Sequence, residues 1–155
     1  MRIYLVQHGE AKSEQEDPRR ILTDKGISEV QKVAGFLRPL GLAVNTVWHS
    51  GKARAQQTAE LLAQALGAQD RVVAREGLGP KDPVAGTKEA LEHTGGDVMI
   101  VGHLPFLGKL VALLVTSREE LEMVEFQYGG VVCLERRDGG SWKVSWMIIP
   151  GLLQR

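Results

Sequence analysis

Two short, uninterrupted apolar runs constrain this chain most: Ile3 to Val6 and Val98 to Val101, each followed within two residues by a histidine, His8 and His103. A run of this length without polar alternation is the pattern of a strand buried on both faces, as in a parallel sheet covered by helices on each side. Val44 to Trp48 and Val72 to Ala74 are further strand candidates. Between them the period changes. After Thr23, a capping residue, Ile27, Val30, Ala34 and Leu37 recur at helical spacing and stop near Pro39 and Gly41. A second helix is expected from about Lys52 to Leu66, with Ala55, Ala59, Leu62 and Leu66 inward and Gly67 past its end. A third spans roughly Val84 to His93, and a fourth opens near Pro105 with Leu107, Leu110, Val111 and Leu114 inward. Val131 to Arg136 and Trp142 to Ile148 then flank Asp138-Gly139-Gly140, as in an antiparallel hairpin.

The expected fold class is α/β: a three-layer α/β/α sandwich with a mostly parallel central sheet and an antiparallel C-terminal hairpin. At 155 residues the chain fits one well-formed core, so a single domain over 1–155 is expected. Nineteen basic side chains balance nineteen acidic ones, which gives no electrostatic support for a nucleic-acid or membrane-surface partner. The apolar run at Met1 to Val6 is too short for a signal peptide, and no run approaches a membrane span. A soluble, cytoplasmic monomer is expected. The single cysteine, Cys133, lies in an apolar strand-like run and reads as a core residue.

In an open α/β sheet, ligands bind beyond the carboxyl ends of the strands, where loops and helix amino termini converge. His8-Gly9, His49-Ser50 and Gly102-His103 all follow strands, so three of the four histidines map to one rim. Arg20 precedes the first helix and Arg54 lies in the first turn of the second. Helix amino termini favour anions, and a guanidinium can give two parallel hydrogen bonds to phosphate oxygens. The histidines lack Cys or carboxylate companions at ligand spacing, so no metal and no cofactor are expected.

Leu5-Val6-Gln7-His8-Gly9-Glu10-Ala11, Arg20-Ile21-Leu22-Thr23 with Gly26, Ser50 through Arg54-Ala55-Gln56-Gln57-Thr58-Ala59, and Val101-Gly102-His103-Leu104-Pro105 together resemble the histidine phosphatase superfamily, with its phosphoglycerate mutase-like fold. The short chain and the Arg-x-Leu-Thr segment look most like its SixA-type phosphohistidine phosphatases. The resemblance implies that His8 is a nucleophile accepting the phosphoryl group, that Arg54 and His103 grip its oxygens, and that Arg20 contacts phosphate. Gln7 and Gly9 flank the nucleophile at positions expected to touch phosphate. The family has arginine where this chain has Gln7, a neutral amide that gives up charge assistance; Arg20, Arg54 and Lys12 or Lys52 are the cations that could compensate. Glu10, His49 and Ser50 are further rim candidates.

Substrate choice turns on the leaving group. An alkoxide leaves poorly unless protonated, whereas imidazole, with a conjugate-acid pKa of about 6.5, departs without much help. Glu76 and Asp82, in the loop after the third strand, are the candidate general acids for ester cleavage. The expected substrate is phosphohistidine in a partner protein. The alternatives are a small phosphorylated metabolite cleaved as a monoester, and a phosphate-binding protein in which Gln7 has impaired catalysis.

Overall fold

The computed structural model describes residues 1–153. Its sheet has six strands: β1 (Arg2–Gln7), β2 (Val44–His49), β3 (Val72–Ala74), β4 (Asp97–Gly102), β5 (Val131–Arg136) and β6 (Trp142–Ile148). They lie in the order β3-β2-β4-β1-β5-β6. The first four in that order run parallel, whereas β5 is antiparallel to β1 and β6 antiparallel to β5. Four helices connect them: α1 (Asp24–Leu37), α2 (Ala53–Leu66), α3 (Ala85–Glu92) and α4 (Phe106–Thr116).

Successive strand residues point to opposite faces, so each continuous apolar run feeds two cores at once. Ile3 and Leu5 of β1 join Val98 and Ile100 of β4 in a cluster with Leu91 of α3 and Phe106, Leu107 and Leu110 of α4. Tyr4 and Val6 join Met99 and Val101 in the other, with Val30, Val33 and Leu37 of α1 and Ala55, Ala59 and Leu62 of α2. The three expected layers are present, and Cys133 is buried in the α1/α2 layer.

Helix ends follow their local chemistry. Thr23 caps α1, its hydroxyl accepting the Gly26 amide at 2.9 Å. Gly67, at φ 69°, closes α2 in the left-handed conformation that glycine tolerates. The hairpin departs from simple alternation. Cys133 pairs with Trp146 but Leu134 with Val144, leaving Ser145 as an extra residue. This bulge changes the phase of β6, so Trp142 packs into the α3/α4 core while Trp146 and Ile148 pack against the α1/α2 core.

Gly26 lets the loop after β1 lie directly on the first turn of α1. A Cβ there would collide with the Glu10 carbonyl oxygen, a backbone atom that no rotamer change can move. Gly26→Ala is therefore expected to lower stability by about 1–3 kcal/mol, the usual cost of overpacking. Urea denaturation measures it, and an unchanged midpoint would contradict this packing.

Candidate active site

Parallel register builds the site. β1 and β4 pair up to Gln7 and Gly102, and the His8 amide donates to the Gly102 carbonyl at 3.0 Å. His8 and His103 thus leave their strands side by side, with ring centroids 5.0 Å apart. β2 pairs with β4 up to His49 and Val101, so Ser50 arrives opposite the same end. Its hydroxyl meets His103 Nε2 at 2.6 Å. Both imidazoles are buried, at 7% and 2% exposure.

The tautomer of His8 is fixed by its neighbour. Nδ1 lies 2.7 Å from the Gly9 carbonyl oxygen, which can only accept, so Nδ1 carries the proton. Nε2 then holds the free lone pair of the neutral ring.

Thr58 ties this loop to α2. Its hydroxyl accepts from the Gly9 amide at 3.0 Å and donates to the Arg54 carbonyl at 2.8 Å, and the residue is fully buried. One side chain therefore sets the distance between the His8 loop and the turn that carries Arg54. Removing the hydroxyl in Thr58→Val leaves the Gly9 amide without its acceptor. The expected loss is about 1–3 kcal/mol, read as a lower urea midpoint; wild-type stability would contradict the tie.

Arg20 reaches the rim from a closed excursion. Ala11 and Leu22 form an isolated antiparallel bridge, Lys12 N bonds Ile21 O at 2.8 Å, and the Leu22 amide donates to Gln57 Oε1 at 2.7 Å. Within it Arg20 takes φ 51°, an uncommon value for a residue with a side chain, and its Nε donates to the Lys12 carbonyl at 2.9 Å. Backbone and Nε are both fixed, so the guanidinium is held in one place.

Electrostatics tie these groups together. Burial, chiefly, pushes His8 down to about 4; the Gly9 bond opposes this, while the charges of Arg54 and Arg20 add to it. His103 is pushed down to about 3, again first by burial, then by His8, Arg54, Lys52 and Arg20. Arg54 is itself lowered by burial and by Arg20. The result is two neutral imidazoles amid cations. In the free protein, the His8 ring protons are expected to titrate by NMR with a midpoint near 4; a midpoint near the ordinary value of about 6.5 would contradict the burial. The unfolded chain takes up the proton first, so stability is held above pH of about 6.5 and falls as pH drops toward 4. For His8 the loss is on the order of 3 kcal/mol.

Gln7 is nearly buried; its Oε1 has no hydrogen-bond partner among the described residues, nor do Arg54 Nε and His103 Nδ1. Other candidates are occupied elsewhere. Glu10 accepts from the Thr23 hydroxyl at 2.8 Å and lies 3.8 Å from Lys25 Nζ, which binds it to the start of α1. His49 Nδ1 accepts from the Gly51 amide, and the ring lines a groove with Gln56, Glu60 and Gln64 on the α2 side. Asp82 accepts from the Gly79 amide at 2.7 Å, closing its own turn. Glu76 is exposed in the same loop. Lys12 supplies its carbonyl to Arg20, and Lys52, exposed at the start of α2, acts on His103 through its charge.

Sequence reasoning missed Tyr128. Its ring centroid lies 5.5 Å from that of His8, and the residue is 46% exposed. Gly129 N bonds Gln7 O at 2.9 Å and Gly130 N bonds Gln127 O, so a turn anchored on β1 holds the tyrosine over the histidine. No periodicity marks residues 117–130, and nothing in the sequence signals where that segment runs.

Among the described residues no helix is long and apolar enough to cross a membrane. The sequence profile of the histidine phosphatase superfamily (branch 1) matches residues 3–79, which include His8, Arg20 and Arg54. An uncharacterized protein of Picosynechococcus sp. is 36% identical over 117 residues, 70% of each chain. The phosphohistidine phosphatase SixA of Escherichia coli strain K12 is 26% identical over 155 residues, covering 97% of this chain and 94% of that one. A solved structure of the protein histidine phosphatase SixA complexed with tungstate superposes with a TM-score of 0.86 at 25% identity, over 99% of this chain and 100% of that one. The chain belongs to the histidine phosphatase superfamily.

Proposed function

We propose that this phosphatase hydrolyses phosphohistidine in a partner protein, without a metal, through a phosphoryl group carried on His8. The observation that carries the reading is the Gly9 carbonyl on His8 Nδ1, which leaves Nε2 as a neutral nucleophile beside His103. Nε2 donates its lone pair to phosphorus as the P–N bond of the substrate breaks, and the departing imidazole takes a proton from solvent. Water then attacks the phosphorus, inorganic phosphate leaves, and His8 recovers its free lone pair. Arg54 and Arg20 offset charge on the phosphoryl oxygens during both transfers. His103, neutral and bonded to Ser50, has Nδ1 free for a further hydrogen bond to the same group.

The leaving group favours phosphohistidine over an ester. Asp82 is engaged in its turn and Glu76 faces solvent, so neither candidate acid is poised over His8. Tungstate, a tetrahedral oxyanion like phosphate, is bound by the similar SixA. Turnover of a phosphohistidine peptide, compared with a panel of sugar phosphates, tests the substrate class. Preference for the peptide is expected. Sustained ester hydrolysis that is lost in Glu76→Gln or Asp82→Asn would establish the metabolite monoesterase instead.

A further inference from the structure

A groove of about 310 Å³ opens between the start of α4 and residues 119–126. Leu104, Pro105, Val124 and Phe126 give it an apolar floor, and Glu119, Glu120, Glu122 and Glu125 stand along its edge. Its lining adjoins the site along the chain in two places. Leu104 and Pro105 follow His103 directly, and Phe126 precedes by two residues the tyrosine over His8. Leu104 is 41% exposed, and Leu121 and Met123, in the segment that carries the glutamates, are exposed too. Exposed apolar surface of this kind, next to a catalytic centre, needs an explanation.

Charge narrows the occupant. The chain as a whole is neutral, yet four glutamates fall within residues 119–125. Arg118 pairs with Glu120 at 2.8 Å, and Lys109 on the groove wall is the other nearby cation, so the edge keeps a net negative charge. Across the rim, Arg20, Arg54 and Lys52 make the phosphate end positive. A phosphoryl group flanked by an apolar, basic surface matches this polarity at both ends. We infer that residues 118–126 and the start of α4 form a docking groove for an apolar, basic surface of the phosphorylated protein next to its phosphohistidine. The groove adds binding to the protein part of the substrate and leaves the reacting atoms alone. It deepens the phosphohistidine reading, but the contact itself forms with or without phosphate.

Fluorescence anisotropy with labelled peptides tests this. A helical Leu/Lys peptide is expected to bind roughly tenfold tighter than its Leu/Glu counterpart at low salt and to lose that advantage as salt rises. A Ser/Lys peptide of equal charge is expected to bind weakly, because the floor is apolar. The variant E119K/E122K/E125K is expected to abolish the preference while leaving hydrolysis of free phosphoramidate within about twofold. With the histidine of the Leu/Lys peptide phosphorylated, the same variant raises KM and leaves kcat unchanged. Equal binding of the Leu/Lys and Leu/Glu peptides, or a preference that survives in the variant, overturns the proposal. So does self-association of the wild type that the variant abolishes, which would make a second copy the occupant. If free phosphoramidate is not hydrolysed at all, the phosphatase reading fails, and the unphosphorylated peptides still decide the groove.

Discussion

Replacing His8 with alanine is expected to lower kcat for phosphohistidine hydrolysis by about 10⁴-fold or more, as loss of a covalent nucleophile does elsewhere. The size follows from what the side chain does in two steps. In the proposed mechanism it forms the first bond to phosphorus, and its departure in the second step regenerates the site. The neighbouring imidazoles are engaged or turned elsewhere. His103 is tied to Ser50 through Nε2, and His49 faces α2. The fold should tolerate the change, because the His8 amide keeps its bond to Gly102 and the Gly9 amide keeps Thr58. Circular dichroism and urea denaturation check that the loss is chemical. A variant retaining more than about a tenth of wild-type turnover would remove His8 from the mechanism.

Arg54→Ala is the second large effect, a fall in kcat/KM of roughly 10²–10³-fold, the range seen when one preorganised donor to a developing anion is removed. Arg54 is half-buried, its Nε has no hydrogen-bond partner among the described residues, and its charge reaches both imidazoles. Arg54→Lys keeps the charge and loses the planar fork, so it should fall between alanine and wild type. The sign of a second effect is fixed as well. Arg54 lowers the pKa of His8 and His103, so its removal raises both. An upward move of the His8 NMR midpoint together with the kinetic loss is expected. Kinetics within about threefold of wild type would show that the phosphoryl charge is met by Arg20 alone.

Sequence patterning carried the sheet well because β1 and β4 are buried on both faces, which leaves unbroken apolar runs such as Ile3 to Val6 and Val98 to Val101. It placed α1 from the Thr23 cap and α2 from the stop at Gly67, each a local signal. The rim was legible for the same reason: parallel strands carry their following residues to one edge, and His8 and His103 follow strands that pair in register. What stayed hidden depends on distant contacts. The bulge at Ser145 reverses the facing of half of β6 and leaves no mark on an alternating pattern. Tyr128 reaches His8 only because Gly129 bonds back to Gln7, a contact between opposite ends of the chain. Glu10, His49 and Asp82 have the right chemistry at the right edge, but each is drawn away by a local partner: the Thr23 hydroxyl, the Gly51 amide and the Gly79 amide.

Rapid-quench labelling with a phosphohistidine peptide carrying radioactive phosphorus bears most directly on the role given to His8. Acid-labile, base-stable label should appear on the protein within the first turnover, map to the peptide containing residue 8, and be absent in His8→Ala. Hydrolysis of the peptide with no label on the wild-type protein at any time would contradict transfer through His8.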